Sequence, residues 1–266
     1  MARVQSFWFG ETLPPCQKLC IKSFLDHGHQ YDLYSYSVPR VPKGVRVLDA
    51  AEILPSTEVF YYPNGPEKGS PACFSNIFRY RLLMMLGGWW VDTDIVCLSP
   101  KLPESEIFLE REDEATMGSA VIKFPKGHGL ANALYDKCRE AGKDLKWGQT
   151  GPALLSLLSK QMGFWDRSEI QKCAFPIHYR DLFLPVTKRG RDATYERTRS
   201  AAFLHLWNEM IRRSGSSALN NPPNGSFLAE LYKKHGVQRS FWPLVDRYKL
   251  KPTFIKEKLK RIMHGA

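Results

Sequence analysis

Two adjacent glycines, Gly87 and Gly88, divide the stretch of chain that most limits what this protein can become. Before them, Ile77, Phe78, Leu82, Met85 and Leu86 recur at the spacing of one helix face. Ser70 and Pro71 open that helix, as N-cap and first helical residue, and the glycines end it. After them, Trp89-Trp90-Val91 begins a β-prone strand that runs into Asp92-Thr93-Asp94. The start of the chain follows the same pattern. Residues 3–9, ending at Gly10, read as a first strand. Pro14-Pro15 opens a helix that carries Leu19, Ile21, Phe24 and Leu25 and stops at Gly28. Residues 31–36 and 45–48 read as the second and third strands. Strand–helix–strand repetition predicts an α/β fold with parallel strands.

Further strands are expected at 107–110, 119–124 and 201–206, and helices at 130–141, 152–162 and 227–235. Residues 55–71, rich in Pro, Gly and Tyr and without a period, read as an active-site or connecting loop. Residues 214–225 form a Ser/Asn/Pro/Gly loop. The length of 266 residues fits one large domain, here residues 1–245, followed by a basic tail at 246–266. With 7 Trp, 11 Tyr and 15 Phe the chain can build a substantial core, which excludes disorder as its main state. No run of 18 apolar residues predicts a membrane span, and the N-terminus lacks the apolar stretch of a signal peptide. A cytoplasmic protein is expected. Six cysteines with no CxxC pair read as free buried thiols rather than a zinc site.

The net charge of +11 favours anionic partners. The positive residues are scattered and form no nucleic-acid reader motif, so nucleic acid is not expected as a partner. In the tail, Phe254, Ile255, Leu259 and Ile262 alternate with lysines and arginines. Such a helix lies on an anionic membrane, placing the protein peripherally on the inner face of the cell membrane, or packs on the body of the domain. Both readings stand at this point.

The chemistry centres on residues 87–98. Alternate residues of a strand share a face, so Asp92 and Asp94 are expected to present two carboxylates together, near the carboxyl end of the strand. Mg²⁺ or Mn²⁺ is held by one or two such carboxylates plus substrate phosphates, which makes a metal diphosphate the expected ligand. An Asp-x-Asp triplet alone is weak: with 12 aspartates in 266 residues, about one such chain in two contains it by chance. Its setting after helix, double glycine and aromatic strand carries the signal. On the helix, Ser75, Asn76 and Arg79 share a face away from the apolar stripe, where Arg79 either contacts a sugar or phosphate or makes a surface salt bridge. In residues 201–209, alternation places Phe203, His205 and Trp207 on one face, with Leu204 and Leu206 on the other. His205 is either a Mn²⁺ ligand or a hydrogen-bonded core residue. Trp8, beside Gly10, lines a base pocket or belongs to the core. Gln149, in a polar turn that enters a helix, contacts a hydroxylated ligand or simply borders a capped helix start.

The segment SNIFRYRLLMMLGGWWVDTD resembles the signature of sugar transferases with a DXD motif, most closely glycosyltransferase family 32 and its bacterial relatives of capsular or surface-polysaccharide type. The first strand, the Thr150-Gly151-Pro152 turn and His205-Leu206-Trp207-Asn208 match in the same order. The resemblance implies a GT-A, Rossmann-like nucleotide-sugar transferase fold with a mostly parallel central sheet flanked by helices. It implies a metal-dependent transferase that moves a sugar from a nucleotide-sugar donor, a UDP-sugar, to a glycan or lipid-linked acceptor with retention. By position, Asp92 approaches ribose and metal, Asp94 binds metal and diphosphate, and His205 completes the metal site. Arg79 and Asn76 contact the donor sugar, Trp8 and Gly10 edge the base pocket, and Ser75, Trp207 and Asn208 join the donor site. Gln149 joins the catalytic set. Asn76 stands where many relatives have Asp, and Gly118-Ser119-Ala120 lacks the Asn that often precedes this Ala. The competing readings are a non-catalytic binder of sugar nucleotides or glycans on the same fold, a basic nucleic-acid-binding protein, and a phosphohydrolase at the same site.

Overall fold

The computed structural model describes residues 1–65 and 67–240; the expected basic tail helix and the boundary at residue 245 lie outside them. In chain order, β1 (Arg3–Phe7) leads through α1 (Pro15–Asp26) to β2 (Gln30–Ser35) and β3 (Val45–Asp49). Next come α2 (Ala72–Leu86), β4 (Gly88–Val91), β5 (Ile95–Cys97), β6 (Glu110–Arg111) and β7 (Val121–Phe124). The second half adds α3 (Gly129–Glu140), α4 (Leu154–Gln161), β8 (Glu169–Ile170), α5 (Arg191–Thr198), β9 (Phe203–His205), α6 (Asn208–Arg213) and α7 (Phe227–Lys234).

Five strands form the central sheet in the order β3-β2-β1-β4-β7. The first four are parallel, and β7 runs antiparallel to β4. Two short pairs stand outside it: β5 with β9, antiparallel, and β6 with β8, parallel. This is the expected α/β architecture, a mostly parallel sheet flanked by helices. Strand periodicity divides the core between the two faces of the sheet. Trp89 and Val91 of β4 pack with Leu19 and Phe24 of α1 on one face, while Trp90 packs with Phe78 of α2 and Ile122 of β7 on the other. Each fully buried side chain of this size contributes about 1.5–3 kcal/mol. Among the described residues, no helix is long and apolar enough to cross a membrane.

The strand order sets the place of the site. β1 has β2 on one side and β4 on the other, so successive crossovers leave in opposite directions from the β1–β4 junction. In open α/β sheets such a switch point leaves a crevice beyond the carboxyl ends of the two strands. Here those ends are Phe7 and Val91, followed by Trp8 and Asp92.

Three local readings are corrected. Pro71 occupies the cap position of α2, and Ser70 caps from one residue earlier, its Oγ accepting from the Ala72 N–H at 3.4 Å. β4 stops at Val91, and the chain turns through Asp92–Ile95, where the Ile95 N–H donates to the Asp92 carbonyl at 3.1 Å. The two acids therefore flank a turn instead of alternating along a strand. The strand expected at 201–206 shortens to β9. Phe203 does not share a cleft face with His205: its ring is fully buried against Trp89 and Phe108, because those aromatic partners lie on the core side of β9.

Gly87 has φ +67°, and a Cβ there would sit 2.4 Å from the Lys126 backbone nitrogen. No side chain fits between α2 and the segment after β7. Its carbonyl also accepts from Nε2 of buried Gln5 at 2.8 Å. Gly87→Ala is therefore expected to destabilise the fold by more than about 2 kcal/mol, from the clash and the left-handed backbone together. Thermal denaturation checks this; an unchanged melting temperature would refute the close approach.

Candidate active site

A cavity of about 530 Å³ opens at the β1–β4 switch point. Its wall includes Trp8 from the end of β1, Ser75, Asn76 and Arg79 from α2, Asp92 and Asp94 from the turn after β4, and His205, Trp207 and Asn208 from the end of β9 and the start of α6. Nine residues singled out in the sequence thus meet in one place. Two do not. Gln149 is exposed, and its Oε1 accepts from the Lys146 N–H at 3.0 Å, folding the side chain back on its own turn. The neighbouring Thr150 faces inward instead, its Oγ1 3.3 Å from Asn76 Nδ2. Gly10 lies outside the cavity wall, and its carbonyl accepts from Ser37 Oγ at 3.0 Å.

Arg79 organises one side of the cavity. It is 3% exposed, so it is no surface salt bridge. Its Nη2 donates to Asp92 Oδ1 at 2.7 Å and its Nη1 to Asn76 Oδ1 at 2.9 Å. The guanidinium also lies 5.1 Å from the Trp90 ring centroid. Asp92 Oδ1 accepts a second bond from Trp90 Nε1 at 2.6 Å. Burial pushes the Asp92 carboxyl up, with Asp94 adding to the rise, and Arg79 and the Trp90 N–H oppose it.

On the other side, Asp94 Oδ2 accepts from the Asn208 backbone N–H at 2.9 Å and lies 3.3 Å from His205 Nε2. Burial works against both charges, yet each holds the other: the Asp94 carboxyl goes down and the His205 imidazole goes up. Trp207 fixes that imidazole. Its ring lies 4.0 Å from the His205 ring centroid, its Nε1 donates to the Ile177 carbonyl at 2.9 Å, and its backbone adopts φ +53° to enter α6.

The donor set bears on a metal. Asp92 Oδ2 and Asp94 Oδ1 have no protein partner among the described residues and belong to side chains of the cavity wall. No three His, Cys, Asp or Glu side chains among the described residues are grouped to hold an ion by themselves. His205 Nε2 is turned to Asp94, and its Nδ1 is buried without a partner among the described residues. Two carboxylates without a third protein ligand fit Mg²⁺ or Mn²⁺ in its usual protein setting, where phosphate oxygens complete the shell.

Sequence reading missed Glu112, which also lines the cavity. It lies in the run Glu110-Arg111-Glu112-Asp113-Glu114, at the end of the strand expected at 107–110, and nothing in the run separates the buried acids from the exposed ones. Tyr62 and Trp147 were missed too, both on irregular segments that line the cavity and whose rings lie 5.6 Å apart.

Residues 123–237, less than half of the chain, match the family model described as the alpha 1,4-glycosyltransferase conserved region. Among solved structures, the chain is similar to the PaToxG glycosyltransferase, with 12% identity over 89% of this chain and 85% of that one, at a TM-score of 0.45. It is also similar to the glycosyltransferase GlyE of Streptococcus pneumoniae TIGR4 in its apo form, with 14% identity over 90% of this chain and 65% of that one, at a TM-score of 0.42. No curated protein matches. The family match supports a glycosyltransferase.

Burial pushes the Glu112 carboxyl from an ordinary 4.5 up to about 8. A carboxyl raised on folding keeps its proton in the native state while the unfolded chain loses it. Stability therefore falls as pH rises from the unfolded value toward 8. Glu112→Gln, which cannot ionise, is expected to gain on the wild type between pH 5 and pH 8.5 in thermal unfolding with EDTA present. A difference that does not change with pH would contradict the buried acid.

Proposed function

We propose that this protein is a metal-dependent glycosyltransferase that takes a sugar from a nucleotide-sugar donor, a UDP-sugar, and passes it to a glycan or lipid-linked acceptor. The observation that carries the reading is the pairing of Asp92 and Asp94 in one cavity at the sheet's switch point, each with one carboxylate oxygen unengaged among the described residues. The DXD resemblance to glycosyltransferase family 32 supports the same chemistry and suggests retention at the anomeric carbon. Residues 1–245 are taken as the catalytic domain. The tail beyond them is proposed as a peripheral membrane contact that brings the site to a lipid-linked acceptor.

In this reading Asp92 and Asp94 hold Mn²⁺ or Mg²⁺, which would supply a Lewis acid for the charge of the departing nucleoside diphosphate. The rest falls to side chains. Arg79 fixes Asp92 with Asn76 behind it, so Asp92 needs no reorganisation when the donor arrives. His205 orients Asp94 rather than binding the ion, the role an outer partner plays for a ligating carboxylate. Trp8 has its indole N–H buried without a partner and is proposed to meet the base of the donor. Asn208 fixes Asp94 through its backbone N–H, and Ser75 and Trp207 complete the wall.

Incubation with a panel of nucleotide sugars and Mn²⁺, read by mass spectrometry, tests the activity. Sugar release or transfer should appear with one donor and vanish with EDTA. Asp94→Asn should lower turnover at least about 100-fold and abolish metal-dependent UDP binding in calorimetry, with an intact circular-dichroism spectrum. Undiminished turnover in Asp94→Asn would remove Asp94 from the site. His205→Gln is expected to lower turnover by about tenfold to 100-fold, as loss of an outer partner does. Full activity there would leave His205 as core.

A further inference from the structure

The cavity wall contains four carboxylic side chains, Asp92, Asp94, Glu112 and Glu209. Three are spoken for. Asp92 accepts from Arg79 and Trp90, and Asp94 from Asn208 with His205 beside it. Glu209 is bound by Arg212 and Arg213. Glu112 is 6% exposed, yet its carboxyl makes no hydrogen bond or ion pair with any described residue. A carboxyl that lines a cavity without a protein partner is open to a group of the ligand.

The fold places this carboxyl deliberately. The Glu112 N–H donates to the Thr116 carbonyl at 2.8 Å, and the Gly118 N–H donates to the Glu110 carbonyl at 2.9 Å, so residues 110–118 close into a tight turn. Glu110 anchors that turn: its carboxylate accepts from the backbone N–H groups of Lys172, Cys173, Ala174 and Phe175. Gln171 Nε2 donates to the Glu112 carbonyl at 2.6 Å. A Cβ on Gly118 would stand 2.2 Å from the Phe175 ring and 3.1 Å from Glu112 Cγ. The glycine thus leaves Phe175 room beside Glu112.

Charge decides which part of a nucleotide sugar belongs there. A diphosphate calls for positive charge, and a carboxyl group offers none in either protonation state. A sugar is neutral and rich in hydroxyls, and a carboxyl group pairs with hydroxyls in either protonation state. We propose that Glu112 binds hydroxyl groups of the donor sugar, making it a specificity-determining residue of the site. The inference rests on the glycosyltransferase reading above, since that reading supplies a sugar in the cavity.

The test separates sugar recognition from nucleotide recognition. Wild type, Glu112→Gln and Glu112→Ala are titrated calorimetrically with UDP, UDP-glucose, UDP-galactose and UDP-N-acetylglucosamine, all with MnCl₂. For the sugar nucleotide that wild type prefers, the ratio of its Kd to that of UDP is expected to rise at least about tenfold in Glu112→Ala and less in Glu112→Gln, as loss of hydrogen bonds to an ionisable group predicts. UDP itself should bind within about twofold of wild type. Equal weakening of UDP and the UDP-sugar, or no change in either, would overturn the inference while leaving the site reading in place. Failure of the wild type to bind any of the four would overturn the site reading, and this inference with it. Glu112→Gln preserves the shape of the side chain, so it answers the question even if the alanine variant fails to fold.

Discussion

A guanidinium stays charged even when buried, so Arg79 needs a compensating carboxylate, and Asp92 provides it at 2.7 Å. Removing one partner of such a pair leaves an uncompensated buried charge, at a cost of about 3–5 kcal/mol. The pair joins α2 to the turn after β4, the two elements that Gly87 separates. Asn76 takes a further guanidinium N–H without adding charge, so the cation stays committed to Asp92. An Asp at position 76 would divide it between two carboxylates. Asp92 thus serves fold and site together, whereas Asp94 leans on a histidine and a backbone N–H and can be neutralised with less structural cost.

The opening β-α-β pattern, α2 and its closing glycines were legible because each rests on local signals: a proline at the start, a glycine at the end, and apolar residues at helical spacing between. The gathering of Asp92, Asp94 and His205 was legible as a resemblance in motif order. Its geometry was not. Strand alternation placed the two acids on one strand face, and the structure puts them on a turn, because Ile95 closes a hydrogen bond back to Asp92. The same alternation sent Phe203 into the cleft, whereas its ring packs on Trp89 and Phe108 from distant parts of the chain. Gln149 and Thr150 differ by one position, and a helical-turn start decides which faces inward.

Contacts across long stretches of chain were beyond reach. Asp94 meets His205 and Asn208, and Glu110 meets the segment 172–175, through pairings that no local pattern signals. Glu110 and Glu112 belong to one charged run and have opposite surroundings. The first has four backbone donors; the second has no hydrogen-bonding partner among the described residues and faces the cavity. Only the packing of residues 171–175 separates a structural acid from one left for a ligand.

The central claim is that Asp92 and Asp94 together form the metal–diphosphate end of a donor site at the β1–β4 junction. Anomalous scattering at the manganese edge, from crystals grown with UDP and MnCl₂, tests it most directly. The account predicts one strong peak within bonding distance of both carboxylates, adjoining the diphosphate of a bound UDP. A nucleotide bound elsewhere, or a peak that touches neither aspartate, would contradict it.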